Sequence, residues 1–266
     1  MSTGLLNPAN VSEVVYAQAR GRLADRGVDP DLLLGEGAFG AEVDVAGFYL
    51  TLGTVAATEK AGQTPTHSAA RLALHAGLPN EVADTLFLAY NQQSAEEAGH
   101  GDKVFGNAYF MLGGAAPSGA LSAVGKTDDS ATFLLPHADR KTNKHTLSAF
   151  AAFLGGIETV ALQQAFPSLV SLCERWDHPV CRDLLLQIRD VVRPEESRHV
   201  LLFRYVFHQL IASKSEAIIR GFLDQTNVGR AQVGGEPLDR AAFTRLVGAN
   251  SPTPRQLLGK ERSFAS

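Results

Sequence analysis

Six residues in this chain could do chemistry together: Glu59, Glu97, His100, Glu158, Glu196 and His199. Glu97-Ala98-Gly99-His100 and Glu196-Ser197-Arg198-His199 are two copies of Glu-x-x-His, each following a lone glutamate by 38 residues. The pairs Glu59/Glu158, Glu97/Glu196 and His100/His199 all stand 99 residues apart, so the second set repeats the first in register. On an α-helix, residues i and i+3 lie about 60° apart and about 4.5 Å along the axis, so a carboxylate and an imidazole at that spacing can reach one ion. Four helices, two giving Glu and two giving Glu-x-x-His, would bring four carboxylates and two imidazoles to the middle of a bundle. A dry core tolerates that much negative charge only when cations neutralise it. Two divalent ions would do so, and mixed imidazole and carboxylate ligation suits iron or manganese.

On those residues the chain resembles the ferritin-like di-iron carboxylate oxygenases and oxidases, over roughly residues 40–212. The resemblance implies an all-α fold: a ferritin-like four-helix bundle with extra N-terminal and C-terminal helices. It would be a single domain over residues 1–266, with a bundle core at about 41–213 and a C-terminal extension at 214–266. The implied ligands are Glu59, Glu97, His100, Glu158, Glu196 and His199. Glu59 and Glu158 would each serve one ion, Glu97 and Glu196 would bridge or shift during the chemistry, and each histidine would give one ion its nitrogen. The implied cofactors are two iron ions, or a manganese/iron pair, with O₂ and an external electron donor such as a reductase or ferredoxin. Nothing in the chain resembles a flavin, nicotinamide or iron–sulfur site.

Glu195-Glu196-Ser197-Arg198-His199 is similar to the acidic-Glu-x-Arg-His run of bacterial multicomponent monooxygenases. By that likeness Glu96 would orient His199, Glu195 would orient His100, and Arg198 would pair with one of these carboxylates. The plain alternative is that Glu96 and Glu195 are solvated helix-surface charges. The pattern also departs from known relatives. Arylamine N-oxygenases add a histidine one turn before the last Glu-x-x-His; here that position is Val192, with Gln93 as its counterpart in the first half. A rubrerythrin-type Cys-x-x-Cys site is missing. Aldehyde-deformylating oxygenases share six-residue ligation, but no residue selects them.

Near the ligands, Val55, Ala56, Leu154, Gly155, Ala161, Leu162, Val192 and Phe203 are apolar and often small. They leave room for a small or lipidic organic substrate, or merely allow close helix packing. The leading expectation is an oxygen-activating di-iron enzyme performing hydroxylation, desaturation or a related oxidation. The alternative is a ferritin-type iron-binding ferroxidase, and a metal-free structural bundle is the third reading.

Composition sets the outer bounds. The chain has 266 residues, 45% hydrophobic and 20% charged, an ordinary globular balance. A formal charge of −4 gives no basic footprint for nucleic acid. Cys173 and Cys181 make no disulfide framework and read as reduced apolar residues near a helix–helix turn. No signal peptide and no uninterrupted apolar run of about 18 residues is evident, so a cytoplasmic location without a membrane span is expected.

Periodicity predicts the elements that must position the six residues. Short helices are expected at 11–26 and 30–34, with a glycine-rich turn at 35–40. Phe48, Leu52, Val55 and Glu59 share a helical stripe over 41–61, and Gly62 and Pro65 are expected to break or kink that helix before a shorter piece at 66–77 carrying His67 and His75. Further helices are expected at 80–112, 143–176 and 180–213, with kinks at Pro167 and Pro194. Tyr90 and Tyr109 read as core tyrosines or as redox-active neighbours of the ions. Residues 113–141 read as the crossover between halves, in which 133–135 could cover a pocket. The tail predicts helices at 216–227 and 238–247 and irregular chain from 248 onward. It is expected to pack on the bundle or to build an oligomer interface, a homodimer included.

Overall fold

The computed structural model describes residues 45–111, 134–175 and 178–259, and among these it is helical with no strand. The helices expected before residue 41, the glycine-rich turn, most of the crossover, Phe133 and the Trp176-Asp177 turn lie outside the described residues. Helix α1 spans Val45–His75. Helix α2 runs as Asn80–Gly99, widens into a π turn at His100–Phe105 and continues as Gly106–Met111. Helix α3 runs as Arg140–Val160, a π turn at Ala161–Ala165, and Phe166–Arg175. Helix α4 runs as Pro179–Gln187, a π turn at Ile188–Val192, Arg193–Val206 and a last π turn at Phe207–Ile211. The tail forms α5 (Glu216–Gln232), α6 (Arg240–Val247) and the single turn α7 (Pro254–Leu257).

The expected break after residue 61 does not occur. Pro65 lies inside α1, where a proline costs about 3 kcal/mol through its missing N–H and its clash with the preceding turn. Continuing the helix buries Ala69, Ala70, Leu72 and Ala73 on one face, which offsets that cost. Pro167 and Pro194 are accommodated differently: each follows a π turn by two residues. The carbonyl crowded by each ring, that of Gln163 or Asp190, lies inside the π turn, whose wider winding absorbs the lost bond.

The helix starts follow capping chemistry. Asp139 accepts from Lys141 N at 3.2 Å and Thr142 N at 2.9 Å, so α3 begins three residues earlier than periodicity predicts. His178 caps α4 through Nδ1, with Pro179 in the first turn. The chain from 248 onward is not wholly irregular, because Thr253 and Gln256 form a capping box that starts α7.

The chain falls into two compact units, each assembled from three sequence segments. Among the described residues, the first takes 45–63, 96–111 and 163–193 and the second takes 64–95, 134–162 and 194–259. Each unit therefore holds a stretch of every one of the four long helices. In the first, Phe105 stacks on Phe166 with centroids 5.9 Å apart. A Cβ on Gly101 would meet Lys60 N at 2.7 Å and Ala56 O at 2.9 Å, so glycine permits that close helix approach. Cys173 and Cys181 are free and buried here, and each thiol shifts the other's titration.

In the second unit one apolar core joins parts of α1–α4 with the tail. The tail packs against the unit, as one of the two expectations held. Phe203, Phe207, Phe222 and Phe243 form a ring cluster with centroids 5.4–6.5 Å apart. Helices α3 and α5 touch backbone to backbone: a Cβ on Gly156 would lie 2.1 Å from Thr226 O, and one on Gly229 would lie 1.9 Å from Phe153 O. Buried Asn143 ties the end of α1 to the start of α3, donating to His75 O at 2.9 Å and His137 O at 2.8 Å. By length and composition the helix over Arg140–Arg175 could cross a membrane, but 56% of its apolar window is buried inside the protein, as in a core helix.

Candidate metal centre

All six candidate ligands are buried, although an unpaired glutamate or histidine belongs in water. In the first unit, His100 Nδ1 lies 3.0 Å from Glu59 Oε2. Glu59, Glu97 and His100 each offer one ligand atom, and these atoms lie within 4.8 Å of one another. In the second unit, His199 Nδ1 lies 3.2 Å from Glu196 Oε2 and 3.6 Å from Glu158 Oε1. Glu158, Glu196 and His199 likewise offer atoms within 4.8 Å of one another. Each half thus gathers two carboxylates and one imidazole, a buried cluster that could hold a metal ion. Nδ1 is the ring nitrogen that faces Glu59 in the first half and Glu158 and Glu196 in the second.

The local winding differs between the halves. His100 is the first residue of a π turn, whereas His199 lies in regular α-helix seven residues after a π turn ends. Glu158 stands three residues before another. Wide turns beside three of the four ligand-bearing helix stretches re-aim side chains that ideal winding would place elsewhere. Periodicity carries no signal for them beyond the prolines at 167 and 194.

Electrostatics in the second unit fit a cation. Burial pushes the Glu158 carboxyl well above the usual range, and the neighbouring Glu196 pushes it further. Burial alone would lower the His199 pKa, but the charge of Glu196 and the bond to Glu158 hold it well above its ordinary value. Without an ion, protons do the neutralising. An ion would take their place, binding deprotonated carboxylates and neutral imidazole. The donor set of oxygen and imidazole nitrogen, with no thiolate, suits iron or manganese.

Three neighbours were not assigned this contact from sequence. Gln93 is buried and its Nε2 donates to Glu158 Oε1 at 2.8 Å. Gly62 leaves the Glu97 carboxylate its space, since a Cβ there would meet Glu97 Oε2 at 3.3 Å. Thr159, next to Glu158, accepts from Arg230 Nη1 at 2.9 Å, and Arg230 also donates to Glu236 O, so the tail braces this part of α3. A buried glutamine and a glycine one turn from a ligand were the available signals.

Other expectations resolve residue by residue. Glu96, Glu195 and Arg198 are half-buried, neither fully solvated nor sealed in. Arg198 Nη2 lies 3.6 Å from Glu195 Oε1, a long ion pair. Tyr90 and Tyr109 are buried, with the Tyr90 ring 6.1 Å from Phe150. His67 is exposed and bonds Asn91, and His75 is exposed. At Gly155 close packing holds, because the Phe203 ring fills the space a side chain would need. Leu134 is buried in the core while Leu135 is exposed.

No protein-family model matches the chain, and neither a curated protein nor a solved structure does.

Proposed function

We propose that Glu59, Glu97, His100, Glu158, Glu196 and His199 are the ligands of a dinuclear centre, and that the protein is an O₂-activating di-iron oxidoreductase of ferritin-like bundle architecture acting on a small or lipidic organic molecule. The observation that carries this reading is the burial of two matched Glu/Glu/His sets, in a chain whose sequence repeats them in register. Two carboxylates and one imidazole per ion give two divalent cations the four negative charges they need. Glu59 and Glu158 would each hold one ion, and Glu97 and Glu196 would complete the carboxylate set. Glu96 and Glu195 are the candidate carboxylates for orienting the histidines. When bound, the metal pair would supply the reduction of O₂ with electrons from an external donor. The chain's own part is to hold the ions, orient their ligands and exclude bulk water.

A ferritin-type ferroxidase remains the second reading, favoured by the same ligand set. Stoichiometry separates the two: an enzyme holds about two ions per chain, whereas a storage protein accumulates many more per assembled shell. The decisive experiment is anaerobic Fe²⁺ loading followed by O₂ in the presence of candidate substrates. An optical transient whose decay is accelerated by one compound supports the oxygenase; O₂ consumption with iron mineralising and no organic product supports ferroxidase. Glu97→Ala or His199→Ala is expected to lose the paired ions, and two ions retained in either variant would refute the centre.

A further inference from the structure

The two halves of the ligand set match residue for residue, but the position one turn before each Glu-x-x-His does not. It is Gln93 in the first half and Val192 in the second. Gln93 is 2% exposed, and its amide donates to Glu158 Oε1 at 2.8 Å. The same oxygen lies 3.6 Å from His199 Nδ1. Val192 is fully buried and aliphatic, so its position can give no such bond.

Resting on the dinuclear reading above, we propose that Gln93 is a positioning residue that makes the two cation positions unequal: it holds Glu158 as a one-oxygen ligand and makes the position formed by Glu158, Glu196 and His199 the first to fill. A glutamate carboxylate can bind an ion through one oxygen or both, and rotation about its last bond interconverts the two. A donor fixed on Oε1, the oxygen that also faces His199 Nδ1, stops that rotation and holds the carboxylate in one orientation toward the ion. The donor is uncharged, so it orients the carboxylate without repelling a cation as a lysine would. Burial makes the arrangement firm, since an amide removed from water holds its partner to avoid standing unsatisfied. The asymmetry has a chemical use: a pair of ions with one rigid and one adaptable ligand shell can bind O₂ or substrate at one member while the other stays fixed.

The test is anaerobic titration of the metal-free full chain with Co²⁺ alone, followed by calorimetry and by visible absorption, which reports ligand number. The wild-type chain is expected to bind two ions in unequal steps. Gln93→Met keeps length and volume but removes the donor. It is expected to weaken the tighter step about 10–100-fold, the usual cost of losing an orienting partner, and to leave the weaker step unchanged. The released carboxylate should bring its second oxygen onto the first ion, lowering the intensity of its visible bands. Should that variant not fold, Gln93→Asn, one methylene too short to reach Glu158, gives the same comparison. Equal steps in the wild type, or a variant in which both steps fall together or neither moves, would overturn the role of Gln93. A wild-type chain that never takes up a second ion would instead defeat the dinuclear reading itself.

Discussion

Glu158 and His199 are buried side by side, and each perturbs the other's titration. Both have folded-state pKa values raised above their ordinary 4.5 and 6.5, by burial and Glu196 for the carboxyl and by the two carboxylates for the imidazole. Each therefore contributes stability that is complete below its ordinary pKa and is lost as pH rises toward the raised value. The metal-free protein should lose thermal stability as pH increases from about 4.5, and further above about 6.5. A cation displaces those protons, so the Tm gain on adding Mn²⁺ should grow between about pH 5 and 8; a constant gain would contradict the assignment. Glu195 offers a second test at this scale. If it orients His100, Glu195→Ala keeps the fold and weakens metal loading about 10–100-fold. If its partner is only Arg198, at 3.6 Å, loading stays as it was.

Helices α3 and α5 approach each other backbone to backbone. Ala at 156 would drive its Cβ to 2.1 Å from Thr226 O, a backbone atom that moves only with its helix. Overpacking of this kind costs about 1–3 kcal/mol or more, so Gly156→Ala should lower the urea midpoint clearly. Gly221 is the control: it sits within α5 with nothing inside 4 Å, and Ala there should stabilise by about 0.5–1 kcal/mol. If both substitutions behave alike, the close α3–α5 contact is not what the tail contributes. The helix boundaries divide along the same physical line. Glycine and proline at 62 and 65 pointed to a break or a kink because propensity is local, but the alanines and leucine that follow are buried and the helix continues unbroken. The π turns were invisible for the same reason in reverse: nothing in a short window distinguishes five-residue winding from ordinary α-helix.

For the whole molecule, the tail is an integral part of the second unit. Phe222, Leu223, Phe243, Val247 and Leu257 are all buried in its core. Each such side chain is worth about 1.5–3 kcal/mol. Together they rival the 5–15 kcal/mol that typically holds a domain folded. A chain ending at residue 213 is expected to lose cooperative unfolding and to expose apolar surface that binds a hydrophobic dye; a sharp transition at the original Tm would show the tail to be dispensable.

The sequence by itself determined the donor types, their helical spacing and the 99-residue repeat, because ligand identity and i to i+3 geometry are local properties of the chain. It also determined the helical class, since apolar residues recur at helical spacing throughout. Tertiary structure alone decided that Gln93 grips Glu158, that Gly62 clears space for Glu97, and that Phe203 fills the gap at Gly155. Those facts depend on which helix faces meet, and that is set by close packing between residues remote in sequence, a term no local pattern records.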